Sequence, residues 1–360
     1  MIRKLVCLAV LIMLLGLTTN AFAAPWAIWK GGVDTNWHNA ANWVDGSGNP
    51  LGHVPDNSVD QCIGIGDISR WGGSYWPTLS NHPMTGWGPF SVNSGLFAMT
   101  EWEDYSQLTF DGGIMYYQAN AYMIIGRKTG DTANVTINSG GIGAYYAPWG
   151  GNPAAGGEPI WGLTRWLRLG EADQIANGGG LGTMVMNGGT VYAQAVTVGN
   201  REGLGDAGSS LTINDGAELY VGVNFYEAEF DIGSTASMTI NPGGYVKMYG
   251  DRLKGDAQEQ NPYVWAKGAL NLVADASGTA RLIVPAWIET VAQLKGYFGY
   301  YDGGTLIDGN INAIYNGGAG QFVFSYPGGN FTEITVTVPE PATIALLGIG
   351  GLCLLRRKRS

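Results

Sequence analysis

Short runs of alternating apolar and polar residues recur along this chain at a fixed interval. Five segments follow one pattern, apolar, Thr or Val, apolar, Asn or Asp, any residue, Gly: LTFDGG from Leu108, VTINSG from Val135, MVMNGG from Met184, LTINDG from Leu211 and MTINPG from Met238. Successive start numbers differ by 27, 49, 27 and 27. Alternation with a period of two marks a strand with one buried face, so Leu211 and Ile213 point one way and Thr212 the other. Asn214 or Asp215 followed by Gly216 then turns the chain, because these residues accept left-handed backbone dihedrals. A second short strand follows the turn, as in YMIIG from Tyr122, WLRLG from Trp166, GTVYAQAVTVG from Gly189 and AELYVGV from Ala217.

Equal spacing across differing loops implies one structural unit stacked on copies of itself. The long interval is one unit of the common length with an insertion, placed in the Gly-, Pro- and Trp-rich segment from Pro148 to Trp166. Two or three short strands with tight bends in each such unit predict one coil of a right-handed parallel β-helix. This is an all-β solenoid whose inward residues stack into a continuous core. An antiparallel β-sandwich is the rival, but its strands do not normally repeat one motif at one interval. The calcium-binding nonapeptide pattern GGxGxD is absent.

Around the repeats the chain divides into 1–23, an export signal; 24–107, a Trp-rich N-terminal cap with the first coils; 108–250, the repeat solenoid; 251–337, C-terminal coils and cap; and 338–360, a tail. Strand-like runs at Leu270 to Val273, Arg281 to Val284, Gln321 to Tyr326 and Glu333 to Val338 suggest the later coils. Ala286 to Lys295 reads as a short helix that covers the open end of the stack and hides a sheet edge.

The two ends are addresses. Arg3 and Lys4 precede an apolar run from Leu5 to Leu17, and Ala21-Phe22-Ala23 supplies the small residues that signal peptidase needs, leaving Ala24 as the new N-terminus. At the other end come Pro339-Glu340-Pro341, the apolar stretch Ala342 to Leu355, and the basic stop Arg356, Arg357, Lys358 and Arg359. That stretch falls short of the roughly 20 residues of a simple spanning helix. The order of parts nevertheless predicts a C-terminal membrane helix, with the basic cluster cytoplasmic by the positive-inside rule.

This tripartite tail, from Val338 to the C-terminus, resembles the PEP-CTERM sorting signal of Gram-negative bacteria. The resemblance implies recognition by an exosortase, a membrane cysteine protease. The expected course is an inner-membrane intermediate held through 342–355, then release or transfer to the cell surface or exopolysaccharide matrix. The opening WKGGVDTNWHNAANW, Trp29 to Trp43, is similar to the first coil of bacterial surface β-helix proteins, many of which carry this tail.

Composition agrees with a turn-rich β fold: 58 of 360 residues are glycine and only 13% are charged. The net charge of −10 argues against a phosphate-backbone ligand. Six of the 19 cations leave with the two ends, so the exported part is more acidic still. Cys7 and Cys353 leave as well, and Cys62 then has no intrachain partner; that leaves an intermolecular bridge or a buried thiol, and burial beside Ile63 and Ile65 is expected.

Chemistry-bearing constellations are sparse. His38, His53 and His82 lack metal-ligand spacing, so no metal site is expected, and Gly178 to Gly182 lacks the Lys and Ser or Thr of a phosphate cradle. No GxSxG elbow occurs. The enzymatic alternative is a polysaccharide lyase or glycosidase on the same scaffold, which needs paired carboxylates. Glu101, Glu103 and Asp104 form the densest acidic cluster, Glu171 with Asp173 follows, and stacking could align Arg127, Arg168 and Arg201. Each reads more simply as solvated charge, and no catalytic residue and no required cofactor is expected. Calcium is a candidate ligand of the turns at Asp45 and Asp302. Tyr116, Tyr117, Tyr145, Tyr146, Trp149 and Trp161, crowded near the insertion, are candidates for stacking on sugar rings, whereas the N-terminal tryptophans read first as packing. The expected function is that of an exported structural or adhesive surface protein with exopolysaccharide as a candidate partner.

Overall fold

A computed structural model of the chain describes residues 26–55, 62–65, 78–80, 91–92, 96–99, 105–117, 121–126, 130, 132–142, 144–145, 161–162, 164–170, 180–193, 195–199, 208–222, 229–249, 264–302, 305–328 and 331–338. Among the described residues strands make up 61% and helix 5%, which makes the class all-β.

The strands fall into three rows, and each repeat unit feeds one strand to each. The motif row runs through Tyr105–Tyr117, Thr132–Ile142, Leu181–Met186, Ser210–Ile213, Ser237–Ile240, Ala269–Asp275 and Ile311–Tyr315, all parallel. The middle row begins in the second halves of the first two of these and continues through Gly189–Ala193, Ala217–Val221, Tyr245–Met248 and Arg281–Val284. The return row runs through Trp26–Trp29, Cys62–Ile65, Leu96–Met99, Ala121–Ile125, Thr164–Leu169, Ala195–Val198, Glu229–Ile232 and Val264–Ala266, again parallel. The motif and middle rows belong to one sheet whose pairing closes on itself. The expected second strands therefore divide between two rows: GTVYAQAVTVG is a middle strand and a return strand, and YMIIG and WLRLG are return strands.

Register reproduces the spacing read in the sequence. Leu211 stands between Met184 and Met238, one repeat unit to either side, and Ile213 between Met186 and Ile240. The long interval is absorbed without loss of register, since Val135 faces Met184. At the base of the insertion Ala144–Tyr145 pairs antiparallel with Trp161–Gly162.

Burial follows the same alternation. Along Leu181–Met186 and Ser210–Ile213 the inward residues are buried and the intervening ones half-exposed. The column Phe110, Ile137, Met186, Ile213, Ile240, Leu272 is wholly buried, as are Val191, Leu219, Val246 and Leu282 in the middle row. Each such side chain contributes about 1.5–3 kcal/mol, so a column stabilises every unit through its neighbours. The return row differs: in Ala195–Val198 all four residues are buried. Both of its faces are covered.

Tight bends hold the rows together. The last glycine of the motif has φ between 72° and 80° at Gly140, Gly189, Gly216 and Gly243, the left-handed region. A Cβ on Gly189 would come 2.4 Å from the Gly140 carbonyl oxygen, so positive φ and close stacking both demand glycine. The motif asparagine does more than turn the chain. Asn187 Nδ2 donates to Asn138 Oδ1 at 3.0 Å, Asn214 Nδ2 to Asn187 Oδ1 at 2.8 Å, and Asn241 Nδ2 to Asn214 Oδ1 at 2.6 Å. Asn187 and Asn214 each accept from one unit and donate to another.

Both ends of the core are closed. At the N-terminus Trp43–Val44 pairs antiparallel with Trp26–Trp29. Trp29, Trp37 and Trp43 are fully buried and mutually packed, with ring centroids 4.7–6.2 Å apart. The Trp43 Nε1–H donates to the Trp37 carbonyl at 2.9 Å. At the C-terminus the helix Val291–Tyr297 starts with a capping box between Thr290 and Gln293. It buries Leu294 and delivers Phe298 against Phe230 at 5.9 Å. The Phe298 carbonyl accepts from the N–H of Ala266, in the last strand of the return row. Phe331–Thr337 ends the middle row by pairing antiparallel with Arg281–Val284, and Gln321–Gly328 adds outside it.

No helix among the described residues is long and apolar enough to cross a membrane. The export signal 1–23 and the expected membrane helix 342–355 lie outside the described residues.

Candidate functional site

The outer face of the middle row gathers the described chemistry into one surface. Strand alternation sends Thr190, Tyr192, Glu218, Tyr220, Tyr245 and Lys247 outward, all half-buried, while Val191, Leu219 and Val246 point into the core. Parallel register then aligns Thr190, Glu218, Tyr245 and Arg281 in one column and Tyr192, Tyr220 and Lys247 in the next.

Tyr192 and Tyr220 stack at 4.9 Å with 13° between their planes, and Tyr245 and Tyr249 lie 5.7 and 6.2 Å from Tyr220. Stacking along the row consumes ring faces, so the outward presentation is of edges and hydroxyls. The Tyr220 hydroxyl donates to Glu218 at 2.9 Å. Cations close the margin: Lys247 Nζ lies 4.5 Å from the Tyr249 ring centre and 5.1 Å from Phe331, and the Arg281 guanidinium lies 5.1 Å from Tyr245 while pairing with Glu333.

Burial pushes the Tyr192, Tyr220 and Tyr245 phenols up, and Glu218 adds to the rise through its hydrogen bond to Tyr220 and its charge near Tyr192. All three stay protonated at physiological pH. The Glu333 hydrogen bond raises Arg281, which keeps its charge. Such a face can hold a hydroxyl-bearing ligand by hydrogen bonds and charge.

Several residues singled out in the sequence lie outside the described residues: Ala21, Ala23, Ala24, Pro339, Glu340, Pro341, Arg356, Arg357, Lys358 and Arg359, and also Glu101, Glu103, Asp104, Arg127, Glu171, Asp173, Arg201, Tyr146, Trp149 and His82. Arg168 is placed in the return row, in line with Thr197 and then the buried Asp231. Tyr145 and Trp161 pair at the insertion base. Among the described residues no group of three or more His, Cys, Asp or Glu is positioned to hold a metal. Asp45 spends its carboxylate on its own turn, accepting from the Ser47 and Asn49 N–H groups and from Asn49 Nδ2. Asp34 does the same for the N-terminal bend, accepting from the Asn36 N–H, Asn39 Nδ2 and Asn42 Nδ2.

The tyrosine face was not singled out in the sequence. Its signal was present: in GTVYA and AELYV a tyrosine occupies the outward position just before the last strand residue, and the stacking of units superimposes them.

Comparison with protein families adds the decisive observation at the C-terminus. Residues 337–359 match the PEP-CTERM protein-sorting motif. The chain carries an exosortase sorting signal. The PEP-CTERM signal implies export, membrane-associated processing and exosortase as the processing partner. No curated protein and no solved structure matches the chain.

Proposed function

We propose that this is a non-catalytic structural or adhesive component of the cell surface or exopolysaccharide matrix, built as a right-handed parallel β-helix. The observation that carries the reading is the PEP-CTERM signal at the end of a chain whose body is a stack of parallel strands in regular register. Support for the coil comes from the order motif strand, middle strand, return strand in successive units, and from the strong preference of parallel crossovers for the right hand. Export would begin with signal peptidase at Ala23, pass through an intermediate held by 342–355, and end with exosortase acting at Pro339-Glu340-Pro341. On the surface the outer middle-row face would meet exopolysaccharide through phenol hydroxyls, Glu218, Lys247 and Arg281, with no cofactor required.

The test is light scattering after size exclusion, run on the host's exopolysaccharide with and without the exported protein. Co-elution at unchanged polymer length supports a matrix-binding role. Shortened polymer would establish an enzyme and overturn the reading.

A further inference from the structure

Among the described residues, large apolar side chains exposed to solvent are concentrated at one end of the stack. Among the described residues nine are exposed, and seven of them lie between 287 and 338. Topology places these segments at one end of the stack, since all three rows terminate there. The hairpin of Tyr300–Asp302 with Thr305–Ile307 follows the Phe298 cap of the return row, Ile311–Tyr315 ends the motif row, and Gln321–Gly328 lies outside the last middle-row pair. Leu306 and Ile307 on the hairpin, Val323 on the outer strand and Val338 at the last described position are all exposed.

The most exposed of the seven is half of a built pair. Trp287 and Tyr326 stack at 4.0 Å with 7° between their planes. Each has its polar atom engaged by a residue of the loop that carries Trp287: Trp287 Nε1 donates to the exposed Glu289 carboxylate at 2.8 Å and the Tyr326 hydroxyl to the Ile288 carbonyl at 3.2 Å. The pair therefore offers apolar ring surface outward while its hydrogen bonds stay satisfied. Trp and Tyr in this condition are the side chains favoured at the boundary between lipid head groups and hydrocarbon.

The chain leaves the described structure from this same end. Only Pro339-Glu340-Pro341 stands between Val338 and Ala342, the first residue of the apolar stretch, and the four chain steps from one to the other span at most about 14 Å. An apolar stretch seated in a bilayer would hold Val338, and with it the last strand of the stack, within that distance of the hydrocarbon. We propose that the C-terminal end of the stack rests on the lipid surface while the sorting tail is inserted, with Trp287, Tyr326, Leu306 and Ile307 among the head groups. The protein would then stand with its N-terminal Trp cap away from the membrane. The proposal rests on the reading that 342–355 enters the bilayer.

The test uses the full chain reconstituted in phosphatidylethanolamine and phosphatidylglycerol vesicles, with the photo-crosslinker p-benzoylphenylalanine placed singly at position 287, 306, 33, 105 or 347. Lipid adducts at 287 and 306 at least tenfold above those at 33 and 105, together with adducts at 347, are expected. Adducts at 347 with none at 287 and 306 would overturn the inference while leaving tail insertion intact. Protein-to-protein adducts at 287 and 306 would overturn it in favour of a second copy as the occupant. Absence of lipid adducts at 347 would remove tail insertion itself, and the inference with it.

Discussion

Replacing Asn214 by Ala should expose how the amide column works. Asn214 makes two side-chain bonds, donating to Asn187 and accepting from Asn241, whereas Asn241 makes one. A protein hydrogen bond contributes about 0.5–1.5 kcal/mol net, and partial exposure holds these to the lower part of that range. Asn214→Ala should therefore cost about 1–2 kcal/mol, and Asn241→Ala about half as much. Asn187→Ala also breaks two bonds, to Asn138 and from Asn214. The double variant breaks three bonds rather than four, because one is shared, so the two single effects should exceed the double by about one bond, roughly 0.5–1 kcal/mol. Urea unfolding of the parent, Asn187→Ala, Asn214→Ala and their double variant, followed by far-ultraviolet circular dichroism, measures this directly. Additive effects of Asn187→Ala and Asn214→Ala would refute the reasoning, since independent amides bound to water would behave that way.

Other consequences are as direct. Gly189→Ala forces a left-handed residue to carry a Cβ against the Gly140 carbonyl and should cost more than about 2 kcal/mol, lowering the urea midpoint; an unchanged midpoint would mean the turn can re-form. Phe298→Ala removes the ring that packs on Phe230 at the end of the core and should cost about 3–5 kcal/mol, with soluble aggregates by light scattering as the unpaired row end opens. Amide donors from Asn39 and Asn42 lower Asp34, and those of Asn49 lower Asp45, so both contribute stability that is complete above the unfolded value near ~3.9 and lost as pH falls through their folded values. Fluorescence of the Trp29, Trp37 and Trp43 cluster should thus shift to the red only below about pH 4, and a shift that begins near neutrality would point to other groups. Glu340→Ala, or deletion of Arg356 to Arg359, should hold the protein in the membrane fraction; normal surface display would detach sorting from this signal.

Much of the fold could be read from periodicity because the motif strands carry their own punctuation. Leu211 and Met238 alternate with polar neighbours, Met184 and Met186 flank a β-branched Val185, and each strand ends at Asn and Gly, so strand, bend and interval were all visible. The return row was harder to separate. Ala195–Val198 is buried on both faces and shows no alternation, so it merged with the middle strand before it. The amide column could not be seen at all, because a turn asparagine looks the same whether it bonds to water or to its counterpart in the next unit. The tyrosine face was obscured for a related reason: Tyr192 and Tyr220 become neighbours only through parallel register, whereas Tyr145 and Tyr146 are adjacent in sequence and drew attention first. The N-terminal tryptophans went the other way, since packing was expected and Trp29, Trp37 and Trp43 are packed.

Parallel register at a constant offset also bears on how such a chain can change over generations. A unit contacts the one before and the one after, and the units at Leu211 and Met238 share the same strand length, turn asparagine and left-handed glycine. In-frame duplication of one unit would lengthen the object by a single strand spacing, about 4.7–4.9 Å, while both caps and the terminal address stay as they were. Deletion would shorten it by the same step. The length of the stack is thus adjustable in uniform increments by gain or loss of whole units.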